Sequence, residues 1–160
     1  MGGTVTDAGD NEAERTPLVG GSKAEKSEEE YFFNYSATLR IFGNINDFDE
    51  ITKHLGVTPS KTHRQGEPHW VRTFPPYEHD MWSYKAPVER IEPLHAHIDA
   101  LWNKFKERKE YLLQLKQGLE VDVFLGYRSN SDTAGFQVPY QSLEMFTELQ
   151  IPFTVSVVIS

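Results

Sequence analysis

The stretch Tyr35-Ser36-Ala37-Thr38-Leu39-Arg40-Ile41-Phe42 sends Ala37, Leu39 and Ile41 to one side and Ser36, Thr38 and Arg40 to the other. Successive side chains of a strand point to opposite faces, so this period of two predicts a strand with one buried face. The pattern returns in Leu119–Tyr127, where Val121, Val123, Leu125 and Tyr127 alternate, and in the closing run, where Phe153, Val155, Val157 and Ile159 are interleaved with Thr154, Ser156 and Ser160. Met81–Val88 reads the same way through Trp82, Tyr84 and Ala86. None of these is the unbroken apolar run of a parallel strand covered on both sides. Sheets of this kind take a helical layer on one face only.

Three helices supply that layer. Asn46 or Asp47 caps a short one whose stripe is Phe48, Ile51 and Leu55, ended by Gly56 with Pro59 beyond it. A single long amphipathic helix is expected from about Glu92 to Gln117, closed by Gly118. Its stripe is Leu94, Ile98, Leu101, Phe105, Leu112 and Leu115, with Arg108 where one more apolar residue would fall. Pro139 opens the third, which carries Leu143, Phe146 and Leu149. Between the first two lies an irregular connection, residues 57–80, punctuated by Pro59, Gly66, Pro68, Pro75 and Pro76. A short strand through His69–Phe74 fits inside it, and a short return strand fits at Gly135–Val138. The resulting order, β-α-β-α-β-α-β, predicts an α+β fold: a two-layer sandwich whose mixed or antiparallel sheet carries three helices on one face, loosely ferredoxin-like. A doubly wound sheet is the alternative.

The chain has 160 residues, no cysteine and a formal charge of −8. Without cysteine there are no disulfides, thiolate metal sites or cysteine nucleophiles. The first thirty residues hold eight acids and three bases, a net of −5, which leaves −3 for residues 31–160. Every aromatic residue lies at or after Tyr31. Residues 1–30 are therefore expected to be a disordered acidic tail, and 31–160 a single domain. The acidic balance argues against a general nucleic-acid binder. No apolar run approaches the roughly 18 residues of a membrane span and no signal peptide opens the chain, so the expectation is a cytoplasmic protein without a membrane partner.

Several short runs are familiar in this order: Thr38-Leu39-Arg40-Ile41-Phe42-Gly43, Ile51-Thr52-Lys53-His54-Leu55-Gly56-Val57-Thr58-Pro59-Ser60, Gly66-Glu67, Trp82-Ser83-Tyr84, Leu94 with His97-Ile98, and Gly135-Phe136-Gln137-Val138-Pro139. Together they resemble a mostly bacterial family catalogued as domain of unknown function 4279, over nearly all of residues 35–160. The resemblance implies one stand-alone cytoplasmic domain with no established cofactor and no catalytic residue to carry over.

The strongest constellation for chemistry is Lys61-Thr62-His63-Arg64-Gln65-Gly66-Glu67-Pro68-His69-Trp70-Val71-Arg72, which gathers basic side chains and two histidines around a tryptophan in an acidic protein. Arg64 and Arg72 could offer a bidentate fork to a carboxylate or phosphate, Trp70 a stacking surface, and Trp82 a second wall, with His63 and His79 nearby. The plainer reading is that both tryptophans anchor a long loop whose charges are merely solvated. His63, His69, His79 and Asp80 contain metal-ligand types, but gaps of six and ten residues through a proline-rich loop impose no geometry, and no metal or cofactor is assigned. No nucleophile elbow, phosphate loop or dinucleotide fingerprint is present. The expectation is a binding module for a protein partner or a small anionic ligand, of the kind found among immunity and defence-associated proteins. The alternative is a hydrolase using His63, His79 and Asp80, with or without a metal, and a sheet edge offers a route to a homodimer.

Overall fold

In the computed structural model, which describes residues 30–160, Ala37, Leu39 and Ile41 are fully buried while Arg40 between them is not. The expected acidic tail lies outside the described residues except for Glu30. The alternating run forms β1 (Phe33–Gly43), the central strand. It is followed by α1 (Phe48–Leu55), β2 (Lys61–His63), β3 (Asp80–Lys85), α2 (Leu94–Phe105), α3 (Lys109–Leu115), β4 (Glu120–Ser129), α4 (Glu144–Leu149) and β5 (Phe153–Ile159). The sheet order is β2-β3-β1-β4-β5. All neighbours are antiparallel except β4 and β5, which the crossover through α4 makes parallel.

Register puts the alternation to use. Leu39 faces Tyr84 and Val123, and Ile41 faces Trp82 and Val121, so all these side chains share one face. That face meets Ile51 and Leu55 of α1, Ile98, Leu101 and Phe105 of α2, Leu112 of α3, and Met145 and Leu149 of α4 in one apolar core. The fold is α+β, with one mixed five-stranded sheet and three helical regions against a single face. The strand order is not that of a simple ferredoxin-like sheet. β2 is a short arm paired outside β3, and β5 adds to the far edge in parallel.

Local chemistry sets the helix ends. The Asp47 side chain accepts the Asp49 N–H at 2.8 Å to start α1. Gly56, with φ of 70°, closes it in the left-handed conformation that glycine adopts without strain. The expected single helix over 92–117 is instead two, joined by a tight 3-10 turn at Lys106–Arg108. The turn lets Phe105 and Leu112 both reach the core while Arg108, which a continuous helix would turn inward, stays in solvent. No strand forms at His69–Phe74; the strand of that region is Lys61–His63, too short to show an alternation. Gly135–Val138 forms no strand either, and Phe136 packs its ring on Tyr127 and Tyr35 instead, at 5.7 and 6.5 Å.

One histidine belongs wholly to this core. His97 on α2 is fully buried, its Nε2 lies 3.2 Å from the Glu92 carbonyl, and its Nδ1 has no partner. Desolvation is the main reason its pKa falls below 6.5, so it is held neutral. No helix among the described residues is long and apolar enough to cross a membrane.

Candidate functional site

The residues that alternate away from the core, Arg40 and Phe42 of β1, Met81 of β3, Asp122 and Phe124 of β4, form the second face of the sheet. All the helices pack on the first, so this face is open except where the connection from β2 to β3 folds back over it. Three sets of contacts hold that connection. The Asp80 carboxylate accepts the Gln65 N–H at 2.8 Å, the Ile45 N–H at 2.9 Å and the Arg64 guanidinium at 3.3 Å. The Gly66 N–H donates to the Tyr77 carbonyl at 2.8 Å, and the Tyr77 N–H to the Glu67 carbonyl at 3.0 Å, with Gly66 in the left-handed region at φ of 87°. Finally, the Tyr77 ring stacks on His63, centroids 3.6 Å apart and the planes nearly parallel, while Lys61 Nζ donates to the Tyr77 hydroxyl at 3.2 Å.

From Tyr77 the aromatic contacts continue to His69 at 4.7 Å, and His69 lies 4.9 Å from Phe74. The Val71 N–H donates to His69 Nδ1 at 3.0 Å, which leaves Nε2 to carry the proton of the neutral ring. Between these rings and the sheet is a concavity of about 350 Å³, floored by Arg40, Phe42 and Met81 and walled by His63, His69, Phe74, Pro75, Pro76, Tyr77, Glu78 and His79. That volume lies in the range of small-molecule sites, and the mostly apolar walls with a few polar groups match their usual character.

The charges here are arranged unevenly. Arg40 donates from Nε and Nη2 to the two oxygens of Asp122 at 2.8 and 2.5 Å, and the Thr154 hydroxyl donates to the same carboxylate at 3.0 Å. The guanidinium is thereby laid between Phe42 and Phe124, 5.6 and 4.7 Å from their centroids, and Nη1 stays outside the carboxylate fork. His63 is buried, and its Nδ1 has no hydrogen-bond partner. Burial first, and the neighbouring Lys61 second, push its pKa below 6.5, so the imidazole on this wall is neutral at pH 7.

The structure sorts the residues expected from sequence. His63 and His79 line the concavity. Trp70 is at its margin, 76% exposed, with its ring 5.9 Å from His69. Arg72 is exposed and, among the described residues, has no hydrogen bond or ion pair. Two expectations are corrected. Trp82 is not a pocket wall: its place in β3 turns it to the helices, where it is fully buried and its Nε1 donates to Thr52 Oγ1 at 3.0 Å. Arg64 is not a free fork: it donates to the Ile45 carbonyl and Asp80, and stands 4.0 Å over the Phe48 ring. Arg40, Phe42, Phe74, Tyr77 and Met81 were not anticipated as site residues, and His69 was considered only within the loop and as a metal-ligand type. The even positions of β1 were the available signal, since Phe42 is too large and apolar for a face that only meets water.

The Asp80 oxygens accept from Gln65, Ile45 and Arg64, and among the described residues no hydrogen bond joins Asp80 to the His63 or His79 side chain. Among the described residues, no group of three or more His, Asp or Glu side chains is arranged to hold a metal ion. Neither a curated protein nor a solved structure matches this chain. The family model described as Domain of unknown function (DUF4279) matches residues 33–160, which spans the whole sheet with its helices and the loop over its open face, and the chain belongs to that family.

Proposed function

We propose that the protein is a binding module whose recognition site is the concavity between the β2–β3 connection and the open sheet face, and that it takes a small aromatic anion. The observation that carries this reading is the space itself. Flat rings from the loop and from the sheet border this open concavity without packing flush, which suits insertion of another flat ring. Arg40 Nη1 and the imidazole N–H groups of His69 and His79 are the donors available to the ligand's charged end.

The test uses indole-3-acetate as probe in ligand-detected NMR. Saturable binding is expected, weakened about 5- to 10-fold by Tyr77→Ala or Phe42→Ala, the scale of one lost ring contact. Equal binding by all three proteins would remove the concavity as the site.

Trp70 and Phe74, 76% and 56% exposed beside it, favour a second reading in which a protein partner covers the loop and inserts an aromatic side chain, as an immunity or defence-associated protein would. A homodimer is proposed through β5. This edge strand has no charge and no internal proline, and Val155, Val157 and Ile159 are exposed, so it lacks the features that usually blunt a sheet edge. Sedimentation should show a concentration-dependent dimer that Val157→Lys reduces at least 10-fold. A monomer at all concentrations would exclude it.

A further inference from the structure

The open face has a second depression, of about 300 Å³, at the opposite end of β1 from the aromatic concavity. Lys85, Arg90 and Arg128 line it, and no Asp or Glu does. In a chain of net charge −8 that is an unusual gathering. The ion pairs of the described residues are Arg40–Asp122, Arg64–Asp80 and Lys109–Glu148, so none of these three cations is neutralised by a carboxylate there. The side chains of Lys85 and Arg90 make no hydrogen bond among the described residues, and Arg128 has only a long contact from Nε to the Ser160 hydroxyl at 3.4 Å.

The floor between the cations is built of small groups in register. Ser36 of β1 faces Gly126 of β4, and Gly126 faces Ser156 of β5, a row across three strands. A Cβ at position 126 would sit 2.5 Å from Ser36 Oγ, so any side chain there would displace that hydroxyl. The Ser36 hydroxyl takes the space that a side chain at Gly126 would fill, and Ser156 lies on the other side of Gly126, so the floor of the depression is shallow and hydroxyl-lined. One row away lie Lys85, opposite Thr38, and Arg128, opposite Asn34, both on this same face.

From this arrangement we infer that the depression is an anion site for the phosphoryl group of a small molecule. Two serine hydroxyls face its oxygens, while two guanidinium groups and an ammonium balance its charge. Arginine forks match phosphate geometry, and a phosphoryl group presents enough oxygens to engage hydroxyls and cations together. A carboxylate, with two oxygens and one charge, would leave much of this donor set unused. The site shares no cation with the aromatic concavity and stands or falls separately from it.

The experiment is a titration of amide-labelled protein with inorganic pyrophosphate, acetate and AMP at fixed ionic strength. Pyrophosphate and AMP should give saturable shifts at the Ser36, Gly126 and Ser156 amides, and acetate should bind at least 10-fold more weakly. Arg128→Gln and Arg90→Gln should each weaken pyrophosphate about 10-fold with an unchanged melting temperature, and Tyr77→Ala should leave it unaffected. Equal affinity for acetate, linear shifts that never saturate, or unaltered binding in both arginine variants would overturn the inference. So would an affinity for single-stranded oligothymidylate that grows with its length, which would make this a strand-binding surface.

Discussion

Trp82→Ala is expected to destabilise the domain by about 3–5 kcal/mol, the range for truncating a buried large aromatic. Small domains have roughly 5–15 kcal/mol of total stability, so the variant should be largely or wholly unfolded at moderate urea. The side chain is fully buried at the meeting of β3, β1 and α1, and opposite Ile41 it touches the centre of the core. Truncation would leave a cavity that neighbours on three elements can close only partly, and would remove the donor from Thr52. Trp82→Phe should cost less, about 1–3 kcal/mol, because most of the volume remains and the half-buried Thr52 hydroxyl can turn to water. Urea denaturation followed by circular dichroism reads both values. A midpoint for Trp82→Ala equal to wild type would mean that this side chain does not lie in the core.

Asp80→Ala is the second large effect, at about 2–4 kcal/mol. It would strand the N–H groups of Ile45 and Gln65, remove the carboxylate beneath Arg64 and free the base of the connection that covers the open face. Asp80→Asn should recover part of the loss, since one acceptor oxygen remains. The same carboxylate predicts a pH dependence. The Gln65 N–H foremost, then the Ile45 N–H and Arg64, outweigh burial and hold its pKa below 3.8. The native state therefore binds this proton less readily than the unfolded chain, so the stabilisation is present above 3.8 and is lost as pH falls through the native value. His63 and His97, both held below 6.5 by burial, act in the same direction at higher pH. Stability should decline in two stages on acidification, the first beginning near pH 6.5 and the second below 3.8. Urea midpoints measured across that range should show the second stage abolished in Asp80→Ala. A wild-type midpoint that stays flat between pH 7 and 4 would contradict the buried neutral histidines.

Much of the fold was legible because one physical rule, alternation against a one-sided core, governs β1, β3 and β4; β5 shows the same alternation in sequence, but its Phe153, Val155, Val157 and Ile159 are exposed at the sheet edge. Where other constraints won, the reading failed. The single long helix was expected because the apolar spacing continues to Leu115, but Arg108 would have pointed into the core, and the chain breaks there instead. β2 has three residues and no period to detect. At the site, residue types were readable but directions were not. Arg64 and Trp82 are chemically suited to a ligand, yet one step of strand register turns Trp82 to the helices, and Asp80, sixteen residues after Arg64, fixes that guanidinium. Phe42 lies far from Tyr77 and Met81 in sequence, and only sheet pairing and the folded-back connection bring the three to one concavity. The basic depression depends still more on pairing, because Lys85, Arg90 and Arg128 share no local pattern.

The chain's methionines provide a direct test of where recognition happens. Met81 is on the floor of the aromatic concavity, whereas Met145 is fully buried among the helices on the other side of the sheet. With methyl-labelled methionine, indole-3-acetate should move the Met81 resonance along a saturable curve and leave Met145 in place. A bound probe that shifts neither methyl, or Met145 but not Met81, would contradict a recognition site on the open face.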